Sequence, residues 1–258
     1  MTEHVAVIGV GILGACVGWN LSRLGAKVIF IDAGRPGEGV TNWSFSWVNA
    51  SNKTARKSYF DLNVAGLAAH RELAGVIGLG SWWHPSGHLR WADDPEQLLK
   101  AAELLARWDY RIEVRTGAEV RRHLEPAVAI PDEVPVAFYP DEAWVHGRQL
   151  VDCLIRQAVA SGAEHRFGTA VRDLDADGST WTVALADGTR LDVDVVVNAA
   201  GPGAADIAEL VSRHLPMRRE PGVGITLGPV IGRLLASEIV SGKRAELLAD
   251  FRPERFVR

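Results

Sequence analysis

The stretch HVAVIGVGILGACVGWNLSRLGAKVIFIDAG, residues 4–34, decides the fold. His4 to Ile8 is rich in valine and alternates little, the pattern of a strand buried on both faces of a parallel sheet. Apolar residues then recur at helical spacing from Ile12 to Leu24, and Lys27 to Ile31 is a second buried strand, so the stretch reads as a βαβ unit. Gly9, Gly11 and Gly14 form GxGxxG between the first strand and the helix. Gly9 permits the tight turn, Gly11 lets the backbone approach a pyrophosphate, and Gly14 lets the helix pack close on the strand. The helix start, with Ile12 and Leu13 in its first turn, offers free N–H groups and the positive end of a dipole to phosphates. Asp32 ends the second strand 18 residues after Gly14, where a carboxylate accepts ribose hydroxyls. The same carboxylate disfavours a 2′-phosphate, and hence NADP, because two negative groups would meet with no cation between them. NAD and FAD both remain open at this point, since the motif reads only the adenosine diphosphate half they share.

The segments beyond Asp32 separate the two. An NAD enzyme would follow quickly with a second βαβ unit, whereas residues 33–57 are crowded with Gly, Pro, Ser, Thr and Asn and read as a long irregular segment. Helical periodicity returns from Ser58 to Gly78, and PSGHLRWA (85–92) reads as a turn into a short strand. Asp94 to Trp108 is a helix capped by Asp93 or Asp94 with Pro95 early in it, and TGAEVRRHLEP (116–126) is a shorter helix ended by Pro126. VPVAFYPDEAWVH (134–146) reads as strand and turn, and Gly147 to Gly162 as an amphipathic helix. Four short strands follow, at Glu164 to Phe167, Ala170 to Leu174, Trp181 to Ala186 and Arg190 to Val193, with Asp177-Gly178 and Asp187-Gly188 as turns. Val195 to Ala199 is again a buried strand, and it ends in NAAGPGA (198–204), small residues over which a cofactor can lie. The last helix, Thr226 to Ile239, follows a second glycine-rich start whose N–H groups suit the far end of a long cofactor, and Gly224, Gly228 and Gly232 leave one of its faces bare. The loop, the bare strand end and the final helix together favour FAD.

Composition sets the outer bounds. A chain of 258 residues with 47% apolar content buries a full core, and a net charge of −4 offers no basic surface for nucleic acid or anionic membrane. Small molecules are therefore the expected partners. No apolar run reaches transmembrane length and no leader is evident, so a cytoplasmic location is expected. Cys16 and Cys153 match no metal or redox spacing and read as small apolar residues. His84 and His88 lack helical spacing and acidic partners, so no metal site is expected. Trp82, Trp83 and Trp91 read as core or interface residues with pocket lining as the alternative, and Arg148 as a solvated surface charge.

Four segments in this order, VAVIGVGILGACVGWNLSRLGAKVIFIDAG (5–34), GVTNWSFSWVNA (39–50), WTVALADGTRLDVDVVVNAAGPGA (181–204) and GITLGPVIGRLLASEIVSG with FRPERF (224–242, 251–256), resemble the FAD-dependent oxidoreductases of the D-amino-acid oxidase, glycine oxidase and sarcosine oxidase family. The resemblance implies an α/β fold: a Rossmann-like FAD-binding domain, with a central parallel sheet and a three-stranded β-meander, plus a smaller, truncated α+β substrate domain. It implies a discontinuous FAD-binding domain over residues 1–80, 144–215 and 223–258, with residues 81–143 and 216–222 as the remnant of the substrate domain. By position it assigns Asp32 to the adenosine ribose, Ala33 to the adenine edge, and Thr41, Asn42 and Ser44 to the phosphates or flavin side. Val171 would meet adenine through its backbone, Ala200 and Gly201 would line the cofactor, and Gly224, Ile225 and Thr226 would face the ribityl chain and flavin.

The implied activity is oxidation of a C–N bond in an amine or amino acid by hydride transfer to FAD, giving an imine that hydrolyses to an oxo acid, with oxygen or another acceptor taking the electrons. The alternatives are an NAD-dependent dehydrogenase and a catalytically inactive FAD-binding remnant. The pattern departs from the family at one place. LPMRREPG (215–222) runs almost directly into GITLGP (224–229), where the family carries much of the substrate sheet and the residues that bind the substrate carboxylate. Arg218 and Arg219 lie beside this junction at Gly222 and Val223.

Overall fold

The computed structural model describes residues 3–92, 94–211, 224–252 and 254. Asp93, the 216–222 segment with Arg218 and Arg219, the Gly222–Val223 junction and Phe256 lie outside the described residues. In chain order the first half runs β1 (His4–Ile8), α1 (Ile12–Arg23), β2 (Lys27–Asp32), α2 (Val40–Trp43), β3 (Trp47–Val48), α3 (Lys57–Ile77), β4 (Trp83–His84), β5 (His88–Arg90) and α4 (Pro95–Arg107). The second half runs β6 (Glu113–Thr116), α5 (Gly117–His123), β7 (Pro135–Tyr139), β8 (Ala143–Val145), α6 (Gly147–Ala160), β9 (Glu164–Phe167), β10 (Val171–Asp177), β11 (Thr180–Leu185), β12 (Arg190–Val193), β13 (Val195–Asn198), α7 (Ala204–Glu209) and α8 (Gly224–Ser241).

A four-stranded parallel sheet in the order β13-β1-β2-β9 organises these elements. Its pleat explains the unbroken apolar runs in the sequence, because alternate residues face different layers. Val5, Val7, Val28 and Phe30 point to the helical layer, where they meet Ala15 and Val17 of α1 and Leu150 and Leu154 of α6. Ala6, Ile8, Ile29 and Ile31 point the other way, onto Leu174, Val183, Leu185 and Val193 of the antiparallel meander β10-β11-β12. Two small antiparallel sheets, β3-β8-β4 and β5-β7-β6, are hydrogen-bonded separately from this sandwich but join its helix-side core through Val48, Ala143, Val145, Ala137 and Tyr139.

Helix starts follow local chemistry. Asp94 caps α4 by accepting the N–H groups of Glu96 and Gln97 at 3.1 and 3.2 Å, and Thr116 and Glu119 form a capping box at α5. The structure adds elements that the sequence pattern does not announce. The 33–57 segment holds the one-turn α2 and the two-residue β3, and β6 and the six-residue α7 are too short or too polar to show a period.

One expectation is corrected. α8 is long and apolar enough by length and composition to cross a membrane. Here it packs against α1 and α3, as a core helix does, and its apolar character reflects contact on several sides.

Candidate functional site

The glycine turn follows the carboxyl end of β1, at the middle of the parallel sheet. Gly9 has φ +90°, and a β-carbon there would lie 2.5 Å from the Ala199 carbonyl oxygen. A β-carbon on Gly14 would lie 1.9 Å from the Gly9 carbonyl oxygen. Both obstacles are backbone, so turn, helix and the end of β13 form one close-fitting seat that admits no side chain. Ala200 and Gly201 continue from β13 beside it, with Gly201 at φ +55°.

The start of α1 is arranged for an anion. Its N-cap is Gly11, without a capping side chain, and no acidic residue occupies its first turn. Ile12 donates its N–H to the buried Thr41 hydroxyl at 3.0 Å. Other N–H groups of the first turn, including that of Leu13, have no acceptor within the helix and stand at its positive end.

Asp32 is aimed across this turn by two backbone donors. Val10 N–H reaches Oδ2 at 2.6 Å and Gly34 N–H reaches Oδ1 at 2.8 Å. A carboxylate has about four acceptor sites, so room for ribose hydroxyls remains. Gly168 and Thr169 donate their N–H groups to the carbonyls of Gly34 and Asp32 at 3.1 and 3.3 Å, which sets the approach to Val171 alongside Asp32 and the exposed Ala33. The Thr169 hydroxyl is buried there without a partner among the described residues.

At the other end, α8 enters between α1 and α3. β-Carbons on Gly228 and Gly232 would lie 2.8 Å from Ile12 Cγ1 and 2.5 Å from Cys16 Cβ, so the bare face expected from the glycine spacing is the one that meets α1. Gly224 stands beside Ile12 in the same contact, which brings the two glycine-rich helix starts together. Burial pushes the Cys16 thiol up, as for an inert apolar residue. Pro229 lies inside α8 and has no N–H to give the Ile225 carbonyl four residues earlier. His70 of α3 supplies the missing donor, with Nε2 at 2.8 Å from that oxygen. His70 is wholly buried, and burial pushes its pKa down to about 4, opposed by this hydrogen bond. The ring is therefore neutral with its proton on Nε2.

Thr226 is committed within the protein. Its hydroxyl donates to the Trp47 carbonyl at 3.2 Å and accepts the Asn49 N–H at 3.3 Å, pinning the 47–49 segment to the start of α8. Asn49 Oδ1 is buried beside it without a partner among the described residues.

The same segment is held from its other side by Glu142, a residue the sequence reading passes over. Glu142 is fully buried. One carboxyl oxygen accepts from Ala50 N–H at 3.2 Å, Ser51 N–H at 2.9 Å and the Tyr110 hydroxyl at 2.9 Å, and the other from Trp47 Nε1 at 2.9 Å. Burial pushes its pKa up, opposed by the Ser51 and other donors. In PDEAW (140–144) the only signal is an acidic residue entering an apolar strand.

The structure thus gathers Gly9, Gly11, Ile12, Leu13, Gly14, Thr41, Ala200 and Gly201 at the glycine turn, Asp32, Ala33 and the approach to Val171 on one side, and Gly224, Ile225 and Thr226 on the other. Asn42 faces solvent, and Ser44 is half-buried farther along the same loop. Trp82 and Trp83 are core residues, whereas Trp91 is partly exposed. Arg148 is half-exposed and pairs with Glu38 at 3.5 Å. The groups present fit FAD: a side-chain-free cradle, an uncapped helix start, an aimed carboxylate, and orphaned polar atoms on Thr169 and Asn49 toward opposite ends.

This combination defines a Rossmann-type flavin-binding fold. Residues 4–243 match the family model described as FAD dependent oxidoreductase (DAO), and the chain belongs to that family. The choice between NAD and FAD that the glycine motif leaves open is thereby settled for FAD. Among curated relatives, the chain is 29% identical over 236 residues to the tRNA 5-methylaminomethyl-2-thiouridine biosynthesis bifunctional protein MnmC of Chromohalobacter salexigens, covering 90% of this chain and 31% of that protein. It is 25% identical over 223 residues to N-methyl-L-tryptophan oxidase of Citrobacter koseri, covering 81% of this chain and 56% of that one. The chain thus spans about a third and just over half of these relatives. Among solved structures, L-proline dehydrogenase from P. horikoshii superposes with a TM-score of 0.82 at 14% identity, covering 100% of this chain and 98% of the other, a likeness of fold.

Proposed function

We propose that the chain is an enzyme that oxidises a C–N bond of a small amine or amino acid with FAD. The observation that carries this reading is the seat formed by Gly9, Gly14 and the end of β13, continued by the start of α8. On this reading the adenosine end of the cofactor lies at Asp32, whose carboxylate accepts the Val10 N–H, and the flavin end at Thr226. N-methyl-L-tryptophan and L-proline, named for two of the similar proteins, both place a C–H next to a secondary amine. When bound, FAD supplies the hydride acceptor: the carbon bearing the amine loses a hydride, the resulting imine hydrolyses to a carbonyl compound, and oxygen or another acceptor removes the electrons.

The share of the protein residues is binding and orientation. Asp32 holds the ribose, the first turn of α1 the pyrophosphate, and the 47–51 segment, clamped by Thr226 and Glu142, forms the wall nearest the flavin. We assign residues 1–80, 144–215 and 223–258 to the FAD-binding part and 81–143 with 216–222 to the substrate side. In support, β5, β6 and β7 all lie within 81–143 and, among the described residues, pair only with each other.

The test is anaerobic mixing of the flavin-loaded protein with a panel of primary and secondary amines and amino acids, following the visible flavin absorbance. Bleaching by a panel member with release of its carbonyl product is expected. A flavin that stays oxidised throughout would replace this reading with a second one, a cofactor-binding chain without catalysis.

A further inference from the structure

A cavity of about 360 Å³ opens beside the 44–47 segment, within the size range of small-molecule sites. Phe45, Trp47, His88 and Trp144 supply its rings, and Ser44 and Ser46 its hydroxyls. Trp47 and Trp144 face each other across the β3–β8 pair, so they stand side by side on one face of that sheet. Each ring is held by neighbouring groups. His88 lies 4.4 Å from the Trp47 ring, and Glu142 holds its Nε1. His84 stacks on Trp144 at 3.7 Å with a 7° interplanar angle, and His146 meets the Trp144 ring edge-on at 4.8 Å. Phe45 closes the rim, edge-on to Trp47 at 6.3 Å and itself 86% exposed. These are fixed π surfaces turned toward an open space.

The position of the cavity ties it to the reaction. The Trp47 carbonyl is the one that accepts the Thr226 hydroxyl, so the residue that forms the pocket wall also borders the flavin end of the groove. The pocket's chemistry is equally specific. None of the lining side chains is an Asp, Glu, Lys or Arg, and burial, with the nearby Arg90 adding to it, lowers the pKa of His88. Ring faces attract an ammonium group and an aromatic or alkyl substituent, and repel a carboxylate.

We propose that this pocket binds a small amine bearing an aromatic or bulky apolar group and no carboxylate, held by the ring faces of Phe45, Trp47 and Trp144. The proposal rests on the FAD-dependent amine-oxidising reading and narrows its substrate class from amino acids to arylalkylamines.

The experiment uses the full chain with its flavin and titrates N-methylphenethylamine, L-phenylalanine and 3-phenylpropionate by calorimetry and tryptophan fluorescence. The amine is expected to bind at least about tenfold more tightly than either carboxylate-bearing probe. Phe45→Ala, a change at an exposed rim residue that leaves the core intact, should weaken the amine about three- to tenfold, and Trp144→Phe should retain most of the affinity. L-phenylalanine binding as tightly as the amine would overturn the proposal, as would amine affinity unmoved by Phe45→Ala. Flavin content is read separately from its visible absorbance. A colourless protein that still prefers the amine would therefore sink the flavin reading and keep the pocket, whereas a yellow protein without that preference would do the reverse.

Discussion

Replacing His70 by phenylalanine keeps the ring volume and the stacked contact with Trp83, at 5.6 Å and 6°, but removes the donor to the Ile225 carbonyl. That carbonyl lacks its regular helical donor because the residue four positions on, 229, is proline, and it sits on a residue only 2% exposed, which keeps water away. A buried acceptor left unpaired costs about 1–3 kcal/mol, which is the expected loss for His70→Phe. Pro229→Ala restores a main-chain N–H four residues after Ile225. In that background the same His70→Phe change should cost less by about 1 kcal/mol or more, a coupling that a double-mutant cycle resolves. The assay is urea unfolding followed by tryptophan fluorescence, with FAD in fixed excess for all four proteins. Equal costs in the two backgrounds would refute the claim that His70 stands in for the missing N–H. The cycle has a pH arm. The folded pKa of about 4 lies below the unfolded value near 6.5, so the unfolded chain binds the proton first. The stability held above pH ~6.5 is lost as pH falls toward ~4, by up to roughly 3 kcal/mol, and His70→Phe should flatten that limb. Glu142, whose raised pKa acts with the opposite sign, is present in both proteins and cancels in the comparison.

Three other changes probe the groove. Gly14→Ala places a methyl group 1.9 Å from the Gly9 carbonyl oxygen and should abolish flavin retention, read as the flavin-to-protein absorbance ratio after gel filtration. Asp32→Ala should weaken FAD by about ten- to a hundredfold, as expected for losing charge-assisted hydrogen bonds to ribose, while the circular dichroism spectrum stays unchanged; unchanged affinity would remove Asp32 from the site. Glu142→Gln turns an NH2 group toward Trp47 Nε1 and should cost about 1–3 kcal/mol while freeing the Trp47 ring, seen as altered tryptophan emission with the flavin still bound.

The parts legible in the sequence are those fixed by backbone sterics and period. The GxGxxG turn, the aspartate at the end of β2, the Asp-Gly hairpins of the meander and the bare face of α8 each follow from a local rule, and the structure places them where the rule requires. The parts that stay hidden depend on partners distant in sequence. His70 and Pro229 look unrelated until α3 meets α8. Glu142 looks like a turn residue until four donors from two segments, 47–51 and Tyr110, converge on it. Trp82 and Trp83 are the core residues that their sequence suggests, and the cavity takes other tryptophans. Trp47 and Trp144 line it because a two-residue strand pairing sets them side by side, and no periodicity reports a strand that short.

The central claim is that this groove holds FAD, and the direct measurement is the identity and amount of cofactor bound. The purified chain should carry, or take up on reconstitution, stoichiometric flavin that is released on denaturation and identified by mass as FAD, with no binding of NAD by calorimetry. A chain that takes up no flavin at saturating FAD yet binds NAD would contradict the account.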